Sequence, residues 1–199
     1  MDTTNKESRL VRTLTAFDDA NRHDPRTYYD EAGNSIPSEL LYAQRMSATL
    51  LVFCPSPSEA LQLAARSQHI ERWKIPRNDY PMDRKGYLRW RSELKKFHGI
   101  RVAEIMQQYD YDDKTISRVK ALLSKKQMKN DAEVQTLEDV ICLVFLRYYF
   151  ADFTQKHPEE KIISIVTKTW DKMSSKGHKS ALALPLSETS RAIIEKALS

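Results

Sequence analysis

Glycine is scarce in this sequence, and proline is only moderately used. The 199 residues include 4 glycines and 8 prolines. Leu, Ala, Glu, Lys, Arg and Gln, the residues that favour helices, are plentiful, so helix formers dominate and turn formers are few. The composition therefore predicts an all-α protein. The length is enough for one proper core and does not demand a second, so we expect a single-domain helical bundle.

Cysteines and long apolar runs are also nearly missing. The two cysteines, Cys54 and Cys142, are too few for a disulfide framework, and Cys142 lies in the apolar run 140–146, where a reduced, buried thiol is ordinary. That run is far shorter than the roughly 20 residues that cross a bilayer. Because segment 1–7 is polar, we expect no secretion signal there and a flexible N-terminus. We therefore expect no membrane partner and a reducing, cytoplasmic location, with the nucleus left open.

Positive charge is in excess and concentrated. The formal net charge is +5, and residues 72–101 contain ten Lys or Arg against three Asp or Glu. A local excess of this kind suits an anionic partner, such as a small phosphorylated or nucleotide ligand, or RNA.

Apolar residues recur at helical spacing along most of the chain. Pro55 and the Ser-Pro-Ser-Glu sequence after it separate two of the predicted helices. Loops are expected at 21–36 and 76–86, within a single domain that spans residues 8–199. The predicted helices cover 6–20, 37–54, 58–73, 87–108, 113–128, 132–153, 159–173, 178–184 and 187–198.

Several polar side chains are embedded in apolar helical segments and are candidates for chemistry. They are Gln68, His69, His98 and Asp139, with Glu138 beside the last. His98 shares the apolar face of its helix. Imidazole and carboxylate groups can bind a divalent ion or move protons. A lone histidine on an apolar face is more often a hydrogen-bonded core residue, and the two acids could equally cap a helix or pair with arginine.

A second cluster mixes arginines with aromatic residues between Arg72 and Arg91. Arginines can hold phosphate through paired hydrogen bonds while an aromatic ring stacks on a base or sugar. In the alternative, the tryptophans pack in the core and the arginines cap helices or pair with nearby acids. The predicted substrate-binding residues are Gln68, Arg72, Arg77, Arg84, Tyr87, Arg91 and Lys95.

Four stretches carry a resemblance that extends from about residue 8 to residue 197. They read LAARSQHIERWKIPRNDYPMDRKGYLRWR, FHG, LEDVICLVFL and KTWDKMSSKGH. In these stretches the chain resembles the domain of unknown function 4202 family, whose members are often labelled glutamyl-tRNA synthetase. That label does not suit this sequence, because the chain has no glycine-rich nucleotide motif and is too short for a catalytic and an anticodon domain.

The layout is also similar to that of HD-domain phosphohydrolases, which are all-helical and metal-dependent. The segment AARSQHI occupies the place of their Ala-Ala-x-x-His-Asp stretch, His98 that of a later histidine, and Asp139 that of the last aspartate. This sequence departs from the pattern at two places: Tyr42 stands near the first histidine, and Gln68-His69 replaces the His-Asp pair. The resemblance implies an HD-like fold and a divalent metal ion held by His69, His98 and Asp139.

These observations lead to one leading hypothesis and two alternatives. We expect a hydrolase or lyase of a small phosphorylated or nucleotide-like substrate, in which His69, His98, Asp139 and Glu138 are the catalytic residues. The first alternative is a non-catalytic module that binds a nucleotide or RNA through the basic aromatic segment. The second is a structural partner protein, in which Trp73 and Trp90 contact another chain.

Overall fold

A computed structural model describes residues 8–29, 32–125 and 130–198. Contacts group these residues into two compact units, and each is built from helices. Unit 1 takes the described residues up to Ala48 and those from Ser56 to 125, whereas unit 2 takes Thr49–Pro55 and the described residues from 130 onward. The predicted all-α class is confirmed, while the predicted single domain over 8–199 stays a prediction. The predicted flexible segment 1–7 lies outside the described residues.

Unit 1 is a set of helices with a small hairpin. Its core includes Phe17, Leu63, Val102 and Val119, which are completely buried. Side chains cap these helices: Ser58 and Asp83, for example, accept hydrogen bonds from backbone amides in the first turns that follow them. The elements are α1 (Arg9–Asn21), β1 (Thr27–Tyr29), β2 (Ser35–Pro37), α2 (Ser38–Phe53, of which the residues up to Ala48 belong to unit 1), α3 (Glu59–Arg66), α4 (Arg84–Gln108) and α5 (Asp113–Ser124), together with short 3-10 helices at Arg72–Lys74 and Arg77–Asp79.

The segment predicted as a loop between the first two helices contains β1 and β2. The two strands pair antiparallel, with Tyr28 opposite Ile36. Gly33 adopts a positive φ of 81°, which favours glycine in a turn. The prediction of a plain loop was wrong here because three residues on each side are too few to show the alternation that indicates a strand.

The third helix is shorter than predicted. It ends at Arg66, so Gln68 and His69 lie in a turn instead of on the helix. Glu71 in that turn has a φ of 49°, and its amide donates to Asn21 Oδ1 at 2.9 Å. Its carboxylate accepts from Arg101 Nε at 2.7 Å. Partners on α1 and α4 therefore stabilise a turn that local helix propensity does not predict.

The long fourth helix begins one turn earlier than predicted. α4 starts at Arg84 because Asp83 caps it, its Oδ1 accepting from the Gly86 amide at 2.7 Å. As predicted, His98 lies on the buried face together with Leu94 and Val102.

Unit 2 is entirely helical among the described residues. The helix predicted over 132–153 divides at Tyr149, and the next helix begins with the fully buried Phe150, whose ring lies edge-on to Phe145 at 5.9 Å. The helix predicted over 178–184 begins at Ser175, because Ser174 caps it. The helices are α6 (Ala132–Tyr148), α7 (Phe150–Lys156), α8 (Glu159–Trp170), α9 (Ser175–Leu182) and α10 (Glu188–Leu198). Across the described part of the chain, no helix combines the length and the apolarity that spanning a membrane requires.

Candidate functional site

His98 is the most completely buried of the predicted site residues in unit 1, at 6 % exposure. Its Nδ1 lies 2.9 Å from the carbonyl oxygen of Ile70. A carbonyl can only accept, so Nδ1 carries the proton and the lone pair of the neutral ring is on Nε2. Within the part of the chain that the structure describes, no hydrogen bond is made to that Nε2. The fold therefore fixes the tautomer of His98 and leaves one basic nitrogen available.

His69 lies beside His98, with a distance of 6.3 Å between ring centroids. The ring of Tyr42 stacks on it at 4.1 Å and an interplanar angle of 12°. Nδ1 of His69 is 3.4 Å from Glu39 Oε2, and Nη1 of Arg72 is 3.2 Å from both Nδ1 and Nε2. His69 therefore connects a carboxylate with a guanidinium, and about a quarter of its side chain (24 %) is exposed.

Glu39 is held in turn by a second group of side chains. Its other oxygen, Oε1, accepts from Arg26 Nη2 at 2.7 Å. Arg26 also donates to both oxygens of Asp24, and Asp24 Oδ2 accepts from the Glu39 amide at 3.0 Å. Asp24 thus caps the start of α2 while it orients Arg26. This network positions Glu39, which positions His69.

The electrostatics of the pair favour neutral imidazoles. Burial lowers the pKa of His98 to about 3, and a positive charge on nearby His69 acts in the same direction. Burial and the charge of Arg72 lower the pKa of His69 to about 4, although Glu39 opposes them. Burial raises the pKa of Glu39, but the hydrogen bond with His69 and the positive charges nearby hold that pKa at about 2. At neutral pH the site therefore contains two neutral rings and one carboxylate.

Arg72 links the histidine pair to the arginine-aromatic segment. Its guanidinium carbon lies 5.2 Å from the centroid of the Trp90 ring, and that of Arg77 lies 5.9 Å from the same ring. Trp90 is only 7 % exposed and donates from Nε1 to the Ile75 carbonyl at 2.9 Å. Trp90 is therefore a core residue, and the expectation that it contacts a partner chain was wrong.

The other predicted substrate-binding residues divide into two groups. The first group, Arg77 and Gln68, lies in the segment between α3 and α4. Arg77 donates to the carbonyls of Tyr80 and Asp83 and so stabilises the loop before α4. Gln68 is half-buried, and among the described residues its buried Oε1 has no hydrogen-bond partner. The second group lies on the exposed surface of α4 and consists of Arg84, Tyr87, Arg91 and Lys95.

Asp139 and Glu138 are buried on α6 in unit 2. Asp139 Oδ1 accepts from the Ser174 amide at 2.7 Å, and Oδ2 accepts from the Ser174 hydroxyl at 2.6 Å. Gln135 Nε2 also donates to Oδ1, at 3.3 Å. The Asp139 carboxylate thus binds the segment that begins α9. A shared site of Asp139 with His69 and His98 stays a prediction.

The histidine pair has part of the chemistry that a divalent ion requires. Neutral imidazoles bind borderline cations. Both oxygens of the neighbouring carboxylate, Glu39, are already engaged by Arg26 and His69. No group of three or more His, Cys, Asp or Glu among the described residues is arranged to hold a metal ion. These residues therefore do not fit a complete metal site, and the predicted divalent ion stays a prediction.

Sequence analysis did not identify Glu39 or Arg26 as site residues. One signal was present: Glu39 and Tyr42 are three positions apart, which places them on one face of a helix. Nothing in the local sequence indicates that this face meets His69, because the two segments are 30 residues apart.

Comparisons with known proteins identify a family and no function. A family model described as Domain of unknown function (DUF4202) matches residues 11–194. No curated protein and no solved structure matches the chain.

Proposed function

The chain belongs to this family of unknown function (DUF4202), and from that premise we propose that unit 1 is a hydrolase or lyase of a small phosphorylated or nucleotide-like substrate. His98 acts as the proton acceptor, and Arg72 holds the anionic group. His69, positioned by Glu39, lies between them. We place the activity in a reducing, cytoplasmic compartment, since Cys54 and Cys142 do not form a disulfide.

One observation carries the proposal: His98 has a fixed tautomer and an Nε2 without a hydrogen bond among the described residues. A structural histidine in a core normally satisfies both ring nitrogens. A general base needs a nitrogen lone pair that is held in position and not already used. His98 meets this requirement, whereas both ring nitrogens of His69 have partners.

The low pKa of His98 suits this role once a substrate is bound. Burial and nearby positive charge depress it in the free protein. A phosphate group bound by Arg72 brings negative charge that opposes both effects and raises the pKa of the neighbouring imidazoles. In a hydrolysis, Nε2 then takes a proton from water as the water oxygen bonds to phosphorus and the bond to the leaving oxygen breaks. Substrate binding itself activates the base.

We add to this proposal a divalent ion bound at the histidine pair and an HD-like layout of the fold. Both need a test of their own. The lone pair on His98 Nε2 would then bind the ion in place of accepting the proton, and the substrate phosphate and water could supply other ligands. No step described above depends on such an ion. Elemental analysis of the purified protein, and activity with added Mn²⁺ after treatment with a chelator, test this addition separately.

The test measures turnover of a panel of phosphomonoesters and nucleotides at pH 7.5. Phosphate release is the readout. His98→Gln keeps a donor for the Ile70 carbonyl and removes the base, so kcat should fall about 100-fold or more with little change in KM. Arg72→Gln should raise KM at least about 10-fold.

His23→Gln is the matched control, because His23 is an exposed histidine in the same unit, and it should leave both constants unchanged. Unaltered turnover in His98→Gln would refute the role of His98. If the wild-type protein neither turns over the panel nor binds inorganic phosphate in an Arg72-dependent way, the whole proposal fails.

A further inference from the structure

The excess positive charge of this protein lies on one helix. Residues 84–96, the first half of α4, contain six Lys or Arg and one Glu, a net charge of +5 that equals the formal net charge of the whole chain. The remaining residues therefore sum to zero. The six cations are Arg84, Lys85, Arg89, Arg91, Lys95 and Lys96, and all of them are exposed.

The two sides of this helix have opposite roles. Gly86, Trp90, Leu94 and His98 recur every four residues and are buried in unit 1. The cations occupy the other side, where Leu88 is the most exposed apolar residue at 57 %. We call this outer side, over residues 84–96, the cationic face. From these observations we propose that the cationic face binds single-stranded RNA.

The cationic face is rigidly positioned. Asp83 caps the helix, and the backbone of Gly86 packs so closely on Pro81 that a Cβ at that position would collide with the proline carbonyl. The Trp90 indole donates to the Ile75 carbonyl. Because the helix is held in place before a partner arrives, binding does not bear the entropic cost of ordering the backbone.

The charge pattern fits a polyanion better than it fits a membrane. A helix that lies in a membrane interface needs a broad apolar side to insert, and the apolar side of α4 is already buried in unit 1. A flexible polyanion needs only a row of accessible cations, whose contacts with phosphates release counterions.

Tyr87 adds a feature that favours a single strand. Its ring is 42 % exposed at the edge of the cationic face, and the hydroxyl lies 3.5 Å from Arg91 Nη1. An exposed aromatic ring beside an arginine is a stacking surface for an unpaired base, which a duplex does not offer. The hydroxyl is not required for stacking, so the Tyr87→Phe variant should bind the strand as well as the wild-type protein does.

The test uses a fluorescein-labelled 20-nucleotide poly(U) and the full chain, with anisotropy measured from 50 to 300 mM salt. The triple variant Arg84→Gln/Arg91→Gln/Lys96→Gln should lose at least about 10-fold in affinity, and the slope of log K against log salt should decrease by about 2. Tyr87→Ala should weaken binding about 5-fold or more, while Tyr87→Phe keeps it.

The matched control removes three exposed cations of unit 1 outside this face, as Arg12→Gln/Arg22→Gln/Lys114→Gln. It has the same net charge as the triple variant and should retain most of the affinity. Equal losses in the two triple variants would show binding by net charge alone and overturn the proposal. So would tighter binding to vesicles that contain phosphatidylserine, to double-stranded RNA or to an acidic peptide.

This inference is independent of the proposed enzyme activity. RNA binding should be unchanged in His98→Gln, and phosphate release should be unchanged in Lys85→Gln/Lys96→Gln, which removes two exposed cations of the cationic face that are not among the predicted substrate-binding residues. Circular dichroism melting of each variant shows whether a loss of binding reflects a loss of folding.

Discussion

His69 and His98 are neutral at physiological pH because unit 1 buries both rings next to positive charge. An exposed histidine titrates near 6.5, whereas the pKa values here are about 4 and about 3. The two rings differ in their hydrogen bonds: His69 is engaged by Glu39 and Arg72, and His98 donates to a backbone carbonyl. The two histidines therefore differ in which ring nitrogens are hydrogen-bonded, and their neighbours in the fold cause this difference.

The pKa of His69 should respond in opposite directions to its two charged neighbours. Arg72→Gln removes a positive charge and should move this pKa upward toward 6.5, while Glu39→Gln removes a negative charge and should move it further down. Nuclear magnetic resonance titration of the imidazole nitrogens measures both shifts. Lys114→Gln, an exposed substitution on α5, should change nothing. Shifts of the same sign in the two variants would contradict the geometry described for His69.

At the scale of elements, the start of α9 depends on close packing as well as on its sequence. The Asp139 carboxylate accepts from the amide and the hydroxyl of Ser174, and Ser174 Oγ accepts from the Gly177 amide. A Cβ on Gly177 would collide with that carboxylate. A glycine within a helix normally lowers stability, so its presence here follows from the approach of Asp139.

Gly177→Ala should therefore lower the free energy of unfolding by about 1–3 kcal/mol, because the added methyl displaces the Asp139 carboxylate. Gly99→Ala is the matched control on α4. A Cβ there meets only the Lys120 side chain, at 3.7 Å. The control should raise stability by about 0.5–1 kcal/mol through helix propensity. Urea unfolding measures both changes, and a stabilising Gly177→Ala would show that the carboxylate does not need this space.

At the scale of the whole molecule, the buried titratable groups make folding sensitive to acid. Both histidines have folded-state pKa values below 6.5, so the unfolded chain binds more protons as the pH falls below 6.5. Glu39 has a folded-state pKa of about 2 against an ordinary 4.5, so its stabilising contribution is present above 4.5 and is lost toward pH 2. All three groups therefore act in the same direction.

The melting temperature should fall as the pH is lowered from 6.5 to 3. His98 contributes up to about 1.4 kcal/mol of lost stability for each pH unit in this window. Its replacement by Gln should flatten the profile between pH 6.5 and 3 while leaving the dependence above pH 7 unchanged. Thermal unfolding followed by circular dichroism tests this. A wild-type profile that stays flat down to pH 4 would contradict the description of buried, neutral histidines.

The sequence by itself determined the helical class and most helix positions, and it indicated His69 and His98 as candidate site residues. Helix formation depends on residues three and four positions apart, so the spacing along α4 and α5 was sufficient to predict them. The cationic character of α4 was equally visible, because charge adds along the chain whatever its fold.

Only the tertiary structure decided where α3 ends and which residues surround His69. The turn after Arg66 depends on Asn21 and Arg101, and Glu39 meets His69 across 30 residues of sequence. Contacts of this kind form when packed helices bring distant side chains together, and their free energies outweigh the small differences in local propensity. A local pattern therefore predicts which helices form, and packing selects the partners that tune a buried histidine.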